Sequence, residues 1–234
     1  MRIITGEFKG RKLLPPEGET TRPITDRVKT ALFSILSGWM GGSVVLDLFA
    51  GTGSLGLEAL SRGARLVCFA ERDPSALDRL RGNIEALGIG DRCRVWPGDI
   101  LTGLAARLAE LGETVDVAFV DPPYALFGGH DTGQASPVRR QAPPTPATGA
   151  AARTPVSCPP KSWADASERL FAPLAARLAD DGVVAFRCPR NMPLPEAFGP
   201  LCVRARRDYG TMSLVLLTAQ DVRPADGPPP SGGG

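Results

Sequence analysis

The stretch Val44 to Gly56, VVLDLFAGTGSLG, constrains this chain more than any other. Val44 to Phe49 is an apolar run broken once by Asp47, the pattern of a buried strand. Ala50 to Gly53 then spells a tight turn, in which Gly51 and Gly53 let the backbone take positive φ and come close to a ligand. Ser54 to Arg62 has helical spacing, with Leu55, Ala59 and Leu60 on one face and Gly63 as its stop. A strand ending in a glycine turn that opens a helix makes an anion site at the helix N-terminus. Eighteen residues past Gly53, Glu71 closes a second apolar run, Leu66 to Ala70. A carboxylate there can accept hydrogen bonds from both hydroxyls of a ribose. The element is therefore expected to bind a cofactor that contains a nucleoside.

Gly51, Gly53 and Gly56 satisfy the dinucleotide pattern G-x-G-x-x-G. Two features argue against NAD. Asp47 lies four residues before Gly51, where it could hold a cationic amino group, and about forty residues precede the strand. Asp47, Gly51 and Gly53 resemble motif I, D/E-x-x-x-G-x-G, of class I S-adenosylmethionine methyltransferases. The resemblance implies S-adenosyl-L-methionine as cofactor, with Asp47, Phe49, Gly51, Thr52, Gly53, Glu71 and Arg72 around it. Asp73 and Pro74 open a predicted helix to about Leu87, and Cys93 to Trp96 reads as a third strand. Asp99 and Ile100 follow it, where such enzymes hold the adenine amine; Leu101 to Leu111 reads as a helix.

Val115 to Val120 is a fourth predicted strand, closed by Asp121-Pro122-Pro123-Tyr124. This tetrapeptide resembles motif IV, [D/N/S]-P-P-[Y/F/W], of enzymes that methylate exocyclic amines of bases, and it is the expected catalytic centre. Such an amine is planar and its lone pair is delocalised into the ring, so it is a poor nucleophile. Asp121 can accept one N–H and the Pro122 carbonyl the other, which draws the nitrogen towards tetrahedral geometry. The two prolines fix φ and stiffen the turn. Tyr124 can stack on the base.

Residues 2–14 read as two short strands around Gly6 and Gly10, a basic hairpin in which Arg2, Lys9, Arg11 and Lys12 outweigh Glu7 to leave +3. Thr25 can cap a helix from Asp26 to about Ser37, with Val28, Leu32, Ile35 and Leu36 on its apolar face. The pattern Gly6, Lys9, Gly10, Arg11, Leu13 and the run TRPITDRVKTALFSIL resemble the RsmD-type enzymes, which methylate the exocyclic N2 of a guanine in 16S ribosomal RNA. The chain departs from that family at Ile24, Lys29, Thr30 and Ser34. Asn83, in NIEALG, fits the family pattern as well. The resemblance implies the guanine(966)-N(2) target in the small subunit, with Lys9, Arg11, Lys12, Arg22 and Arg27 as RNA contacts, and neither a metal nor a membrane. Two alternatives stand beside it: an adenine-N6 methyltransferase on DNA or RNA, since D-P-P-Y serves both amines, and a non-catalytic RNA-binding assembly factor.

Gly128 to Trp163 holds seven prolines and no Leu, Ile, Phe or Met. It cannot bury a core and is expected to be a disordered insert, as is the tail from Val222 to Gly234. Ala164 to Ala179 reads as a helix stopped by Gly182, Val183 to Cys188 as a fifth strand, and Leu201 to Asp208 with Met212 to Thr218 as an antiparallel pair. That last pair resembles the family's closing Y-G-D-T/S-x-L run with its acid missing: Tyr209, Gly210, Thr211, Met212, Ser213, Leu214. Five cysteines show no C-x-x-C spacing, and four of them, Cys68, Cys93, Cys188 and Cys202, fall in predicted strands as buried thiols, which suits a reducing cytoplasm. The expected molecule is an α/β monomer with the class I methyltransferase Rossmann-like fold. It has a seven-stranded, mostly parallel sheet with helices on both faces, an N-terminal arm over residues 1–22, and a domain over 23–221 that the insert interrupts.

Overall fold

A computed structural model describes residues 1–17, 24–123, 163–195 and 197–219. The Tyr124 assignment, the Arg22 contact, the tail and nearly all of the insert lie outside these residues.

The opening stretch folds as its pattern predicts. Strand β1, Val44–Leu48, is buried along its whole length, and helix α2, Ser54–Ser61, follows the glycine turn. Strand β2 is Leu66–Glu71, helix α3 Pro74–Leu87, strand β3 Cys93–Pro97, helix α4 Ile100–Leu111 and strand β4 Val115–Val120. The caps follow the sequence: Asp73 Oδ2 accepts from Ala76 N (2.9 Å) with Pro74 in the first turn, and Gly88 ends α3 in the left-handed region. Helix α1, Asp26–Ile35, precedes all of these, capped by Thr25. After residue 162 come α5 (Trp163–Ala166), α6 (Ala172–Ala175), β5 (Leu178–Pro189), β6 (Ala197–Phe198), β7 (Leu201–Tyr209) and β8 (Met212–Ala219).

One eight-stranded sheet runs in the order β3-β2-β1-β4-β5-β8-β7-β6. The first five strands are parallel, and β8 enters antiparallel to β5. This is the expected fold class with one strand more than predicted, because Ala197–Phe198 adds a two-residue rung to β7. The sheet separates two cores. Val44, Leu46 and Leu48 face α4, α5 and α6, whereas Val45 faces α1, α2 and α3. Each central strand alternates between two buried faces, so it reads as a continuous apolar run. No helix among the described residues is long and apolar enough to cross a membrane.

Three expectations need correction. The N-terminal arm is not a two-stranded hairpin: one antiparallel bridge, Arg2 to Lys12, closes it, and Gly6 and Gly10 take φ of 89° and 82° and fold the chain into turns. Ile3 and Leu13 are buried beneath that bridge, in the same core as residues of α1 and α2. The predicted helix 164–179 breaks into α5, a π-helical stretch over Ser167–Phe171 and α6, where Pro173 lacks an N–H to donate; Leu178 already belongs to β5, and Gly182 lies inside that strand. Trp163, the last residue of the expected insert, instead packs edge-on against Phe186 and Phe198, with ring centroids 6.1 and 5.4 Å apart.

Candidate active site

The glycine turn sits at the carboxyl end of β1, between the ends of β2 and β4. Gly51 and Gly53 have φ of 56° and 85°, and Phe49 takes φ of 68°, a conformation that a bulky residue rarely adopts. The three glycines have different jobs. A Cβ on Gly51 would meet nothing within 4 Å, so the turn is open to a ligand there. A Cβ on Gly53 would lie 2.5 Å from Leu80 of α3, and one on Gly56 would lie 2.3 Å from the Phe69 ring. Gly56 therefore lets α2 lie tightly on β2, while Thr52 is buried and Phe49 half-buried.

Asp47 lies beneath the turn. It is 1% exposed, and its Oδ2 accepts a hydrogen bond from Gly56 N (2.8 Å). Burial pushes its carboxyl up to about 8, against the lowering effect of that bond. The geometry makes Asp47 the tie between β1 and α2; it is not open to solvent. Glu71 has a parallel role one strand over. Its Oε2 accepts from Gly51 N (2.7 Å), and its Oε1 from Arg72 N and Asp73 N (both 2.8 Å). Three of the roughly four acceptor positions of a carboxylate are thus filled, leaving one further strong bond on Oε2 for a ligand. Gly98 N bonds to the Glu71 carbonyl (2.9 Å), which brings Asp99 alongside. Asp99 caps α4 through Leu101 N (2.9 Å) and lies 3.8 Å from the Arg72 guanidinium, with Ile100 buried behind it.

The second centre lies at the end of β4. Leu48 of β1 pairs in register with Val120, and Asp121 N donates to the Leu48 carbonyl (3.4 Å). Asp121 and Pro122 thus stand beside the glycine turn, followed by Pro123. Burial raises the Asp121 carboxyl, and the Arg187 guanidinium opposes that rise, its Nε donating to Oδ1 at 2.5 Å. Arg187 was not among the expected site residues. Its sequence signal is a lone charge in VVAFRCP, an otherwise apolar strand.

The arm frames the other side. Glu58, fully buried in α2, accepts from Ile4 N (2.7 Å) and Thr5 N (3.0 Å) and pairs with Lys29 at 3.0 Å and Arg62 at 2.8 Å. Lys29 is 1% exposed, with its Nζ 2.8 Å from the Arg2 carbonyl and 3.4 Å from Ser54 Oγ in the first turn of α2. The predicted apolar face of α1 did not include it. Asn83 gains a role that its sequence context did not give. Its Nδ2 donates to the Thr52 carbonyl (3.0 Å) and its Oδ1 accepts from Leu14 N (2.7 Å), tying the end of the arm to the glycine turn. Among the basic candidates, Lys9, Lys12 and Arg27 are exposed and form no ion pair among the described residues. Arg11 donates to the Ala86 carbonyl (2.7 Å) and so helps to close α3. Cys68, Cys93 and Cys188 are buried, and burial pushes their thiols up to about 12, 12 and 11; Cys202 is half-buried.

Residues 1–131 match the model of a protein family described as conserved hypothetical protein 95. The chain belongs to that family. Its relatives include YlbH of Bacillus subtilis, 41% identical over 125 residues, which are 53% of this chain and 67% of YlbH. Ribosomal RNA small subunit methyltransferase D of Haemophilus influenzae is 38% identical over 127 residues, 53% of this chain and 64% of its own length. The match thus spans less than two thirds of that second relative. Over the whole fold, the solved structure of the hypothetical protein TTHA0928 from Thermus thermophilus superposes with a TM-score of 0.66 at 27% identity, covering 94% of this chain and 99% of that one.

Proposed function

We propose that the protein transfers a methyl group from S-adenosyl-L-methionine to the exocyclic N2 amine of a guanine in 16S ribosomal RNA, within the small subunit and in the cytoplasm. One observation carries this reading: the open glycine turn and Asp121-Pro122 stand at the ends of adjacent parallel strands, joined by the bond from Asp121 N to the Leu48 carbonyl. A cofactor on the turn and a base at Asp121 would therefore meet. The relative named ribosomal RNA small subunit methyltransferase D supports the substrate.

The residues present fit the cofactor. The empty space over Gly51 admits it, Glu71 offers one acceptor to a ribose, and Asp99 stands at the end of β3 on the same rim. When bound, S-adenosylmethionine supplies an electrophilic methyl on a sulfonium. The protein's share of the work is then positioning. Asp121 accepts one amine N–H and the Pro122 carbonyl the other, which localises the nitrogen lone pair. As that nitrogen gains charge it must lose a proton, and a carboxylate whose affinity for protons has been raised by burial is the better acceptor.

Single-turnover transfer from labelled cofactor to small-subunit particles, free 16S RNA or DNA tests the proposal, with the product base identified after digestion. N2-methylguanine in the particles is the expected result. N6-methyladenine would establish the adenine reading, and no product with any substrate would overturn the enzyme. Asp121→Ala should retain cofactor binding and lose about 10²–10³ in rate, comparable to removal of one hydrogen-bonding group that acts in the transition state.

A further inference from the structure

We infer that Arg187 is the positioning residue of this site: its guanidinium holds the Asp121 carboxylate charged and in one orientation, leaving Oδ2 to the target amine. The inference rests on the function proposed above. Strands β4 and β5 run parallel with Val120 beside Phe186, so the next residue on each strand, Asp121 and Arg187, falls at the same level of the sheet. Both lie on the face that Val117, Phe119 and Ala185 share with α1 and α2. Their side chains are 18% and 14% exposed and meet at 2.5 Å through Nε and Oδ1. A carboxyl in such a place would ordinarily take up a proton, because burial penalises its charge. A protonated Asp121 would carry an O–H that competes with the amine protons it must accept. Among the described residues, Arg187 on β5 is the cation facing Asp121. Asp47 on β1 is the carboxyl coupled to it across the sheet, with Glu71 on β2 beyond. Arginine suits the task better than lysine, since a planar fork fixes the rotation of its partner as well as its charge.

The sign of the pH effect follows. Removing Arg187 takes away the influence that favours the charged carboxylate, so Asp121 would ionise only at higher pH. In Arg187→Gln, the acid limb of the single-turnover rate should therefore move up by about one pH unit or more, a tenfold change in ionised fraction. In Arg187→Lys, the limb should stay near its original place while the plateau rate falls, because charge is kept and orientation is lost. Cofactor affinity should be unchanged in both. The carboxyl titration of Asp121, followed by ¹³C NMR in the cofactor-free protein and assigned with Asp121→Asn, should move in the same direction as the limb. An unmoved titration in Arg187→Gln, or a rate lowered by one factor at every pH, would overturn the inference. If the wild type methylates no RNA, the proposed function fails, yet the titration still decides whether Arg187 holds Asp121 charged. Should Arg187→Gln not fold, Arg187→Lys carries the test, and a plateau rate equal to the wild type would overturn the positioning role.

Discussion

At the scale of single residues, Asp47 and Glu71 both use backbone N–H groups to hold the glycine turn, but their surroundings differ. Asp47 is enclosed, and burial pushes its carboxyl up to about 8, above the ordinary carboxylate range. The folded state therefore keeps a proton that the unfolded chain has already lost, and the contribution of this group to stability declines as pH rises from about 4 to about 8. Asp47→Asn should remove that decline, on the order of a few kcal/mol, because an amide oxygen can still accept from Gly56 N without carrying charge. Denaturant melts at pH 5 and 8 in both proteins check it: a pH slope that survives in the variant would assign the dependence elsewhere. Glu71 is half-buried and anchors three backbone donors, so Glu71→Ala should act twice. S-adenosylmethionine binding should weaken by about 1–3 kcal/mol, and the melting temperature should fall as Gly51 N loses its partner. Calorimetry and a thermal melt on one preparation separate the two effects.

At the scale of elements, the arm, α1 and α2 form one unit around Glu58. Every residue from Leu55 to Ser61 is buried, so α2 has no solvent face on which to place a charge. Glu58 is tolerated because Lys29, Arg62 and two arm amides neutralise and saturate it. Burial pulls the Lys29 ammonium below the usual lysine range, and the Glu58 carboxylate opposes that pull. Glu58→Ala would strand a buried cation and free the arm. It should cost about 3–5 kcal/mol and raise hydrogen exchange at the Ile4 and Thr5 amides, while Lys29→Met with Glu58→Gln should recover much of the loss. Unchanged exchange at those two amides in Glu58→Ala would mean that Ile3 and Leu13 dock the arm without help from the ion pair. Asn83 extends the same unit to the turn through Thr52, so arm and glycine turn share a support.

At the scale of the whole molecule, a net charge of +2 would not attract RNA by itself, so the proposed RNA binding would rest on the distribution of charge. Arg2 is matched by Asp26 and Arg11 is engaged on α3, which leaves Lys9, Lys12 and Arg27 as exposed cations on the arm side of the site. Replacing these three by Ala should weaken RNA binding and lower the steepness of its salt dependence by about two to three ions, with cofactor affinity intact. An unchanged salt slope would show that phosphates are held elsewhere.

The sequence by itself determined the order of elements from β1 to β4 and the glycine turn between β1 and α2. These rest on local rules: apolar runs of strand length, caps such as Asp73 and Gly88, and glycines where φ must be positive. The resemblances in VVLDLFAGTGSLG and TRPITDRVKTALFSIL agree with the family match over residues 1–131. The tertiary structure decided what depends on partners distant in the chain. Arg187 meets Asp121 across 66 positions, and Glu58 meets Ile4 across 54. A residue's own neighbours do not reveal such pairs, because burial and the identity of the facing charge arise only when strands are laid side by side. The same reason separates the arm from the expected hairpin and residues 164–179 from one unbroken helix. Local spacing permits both, but the turns at Gly6 and Gly10 and the pairing of Leu178 with Val115 decide otherwise.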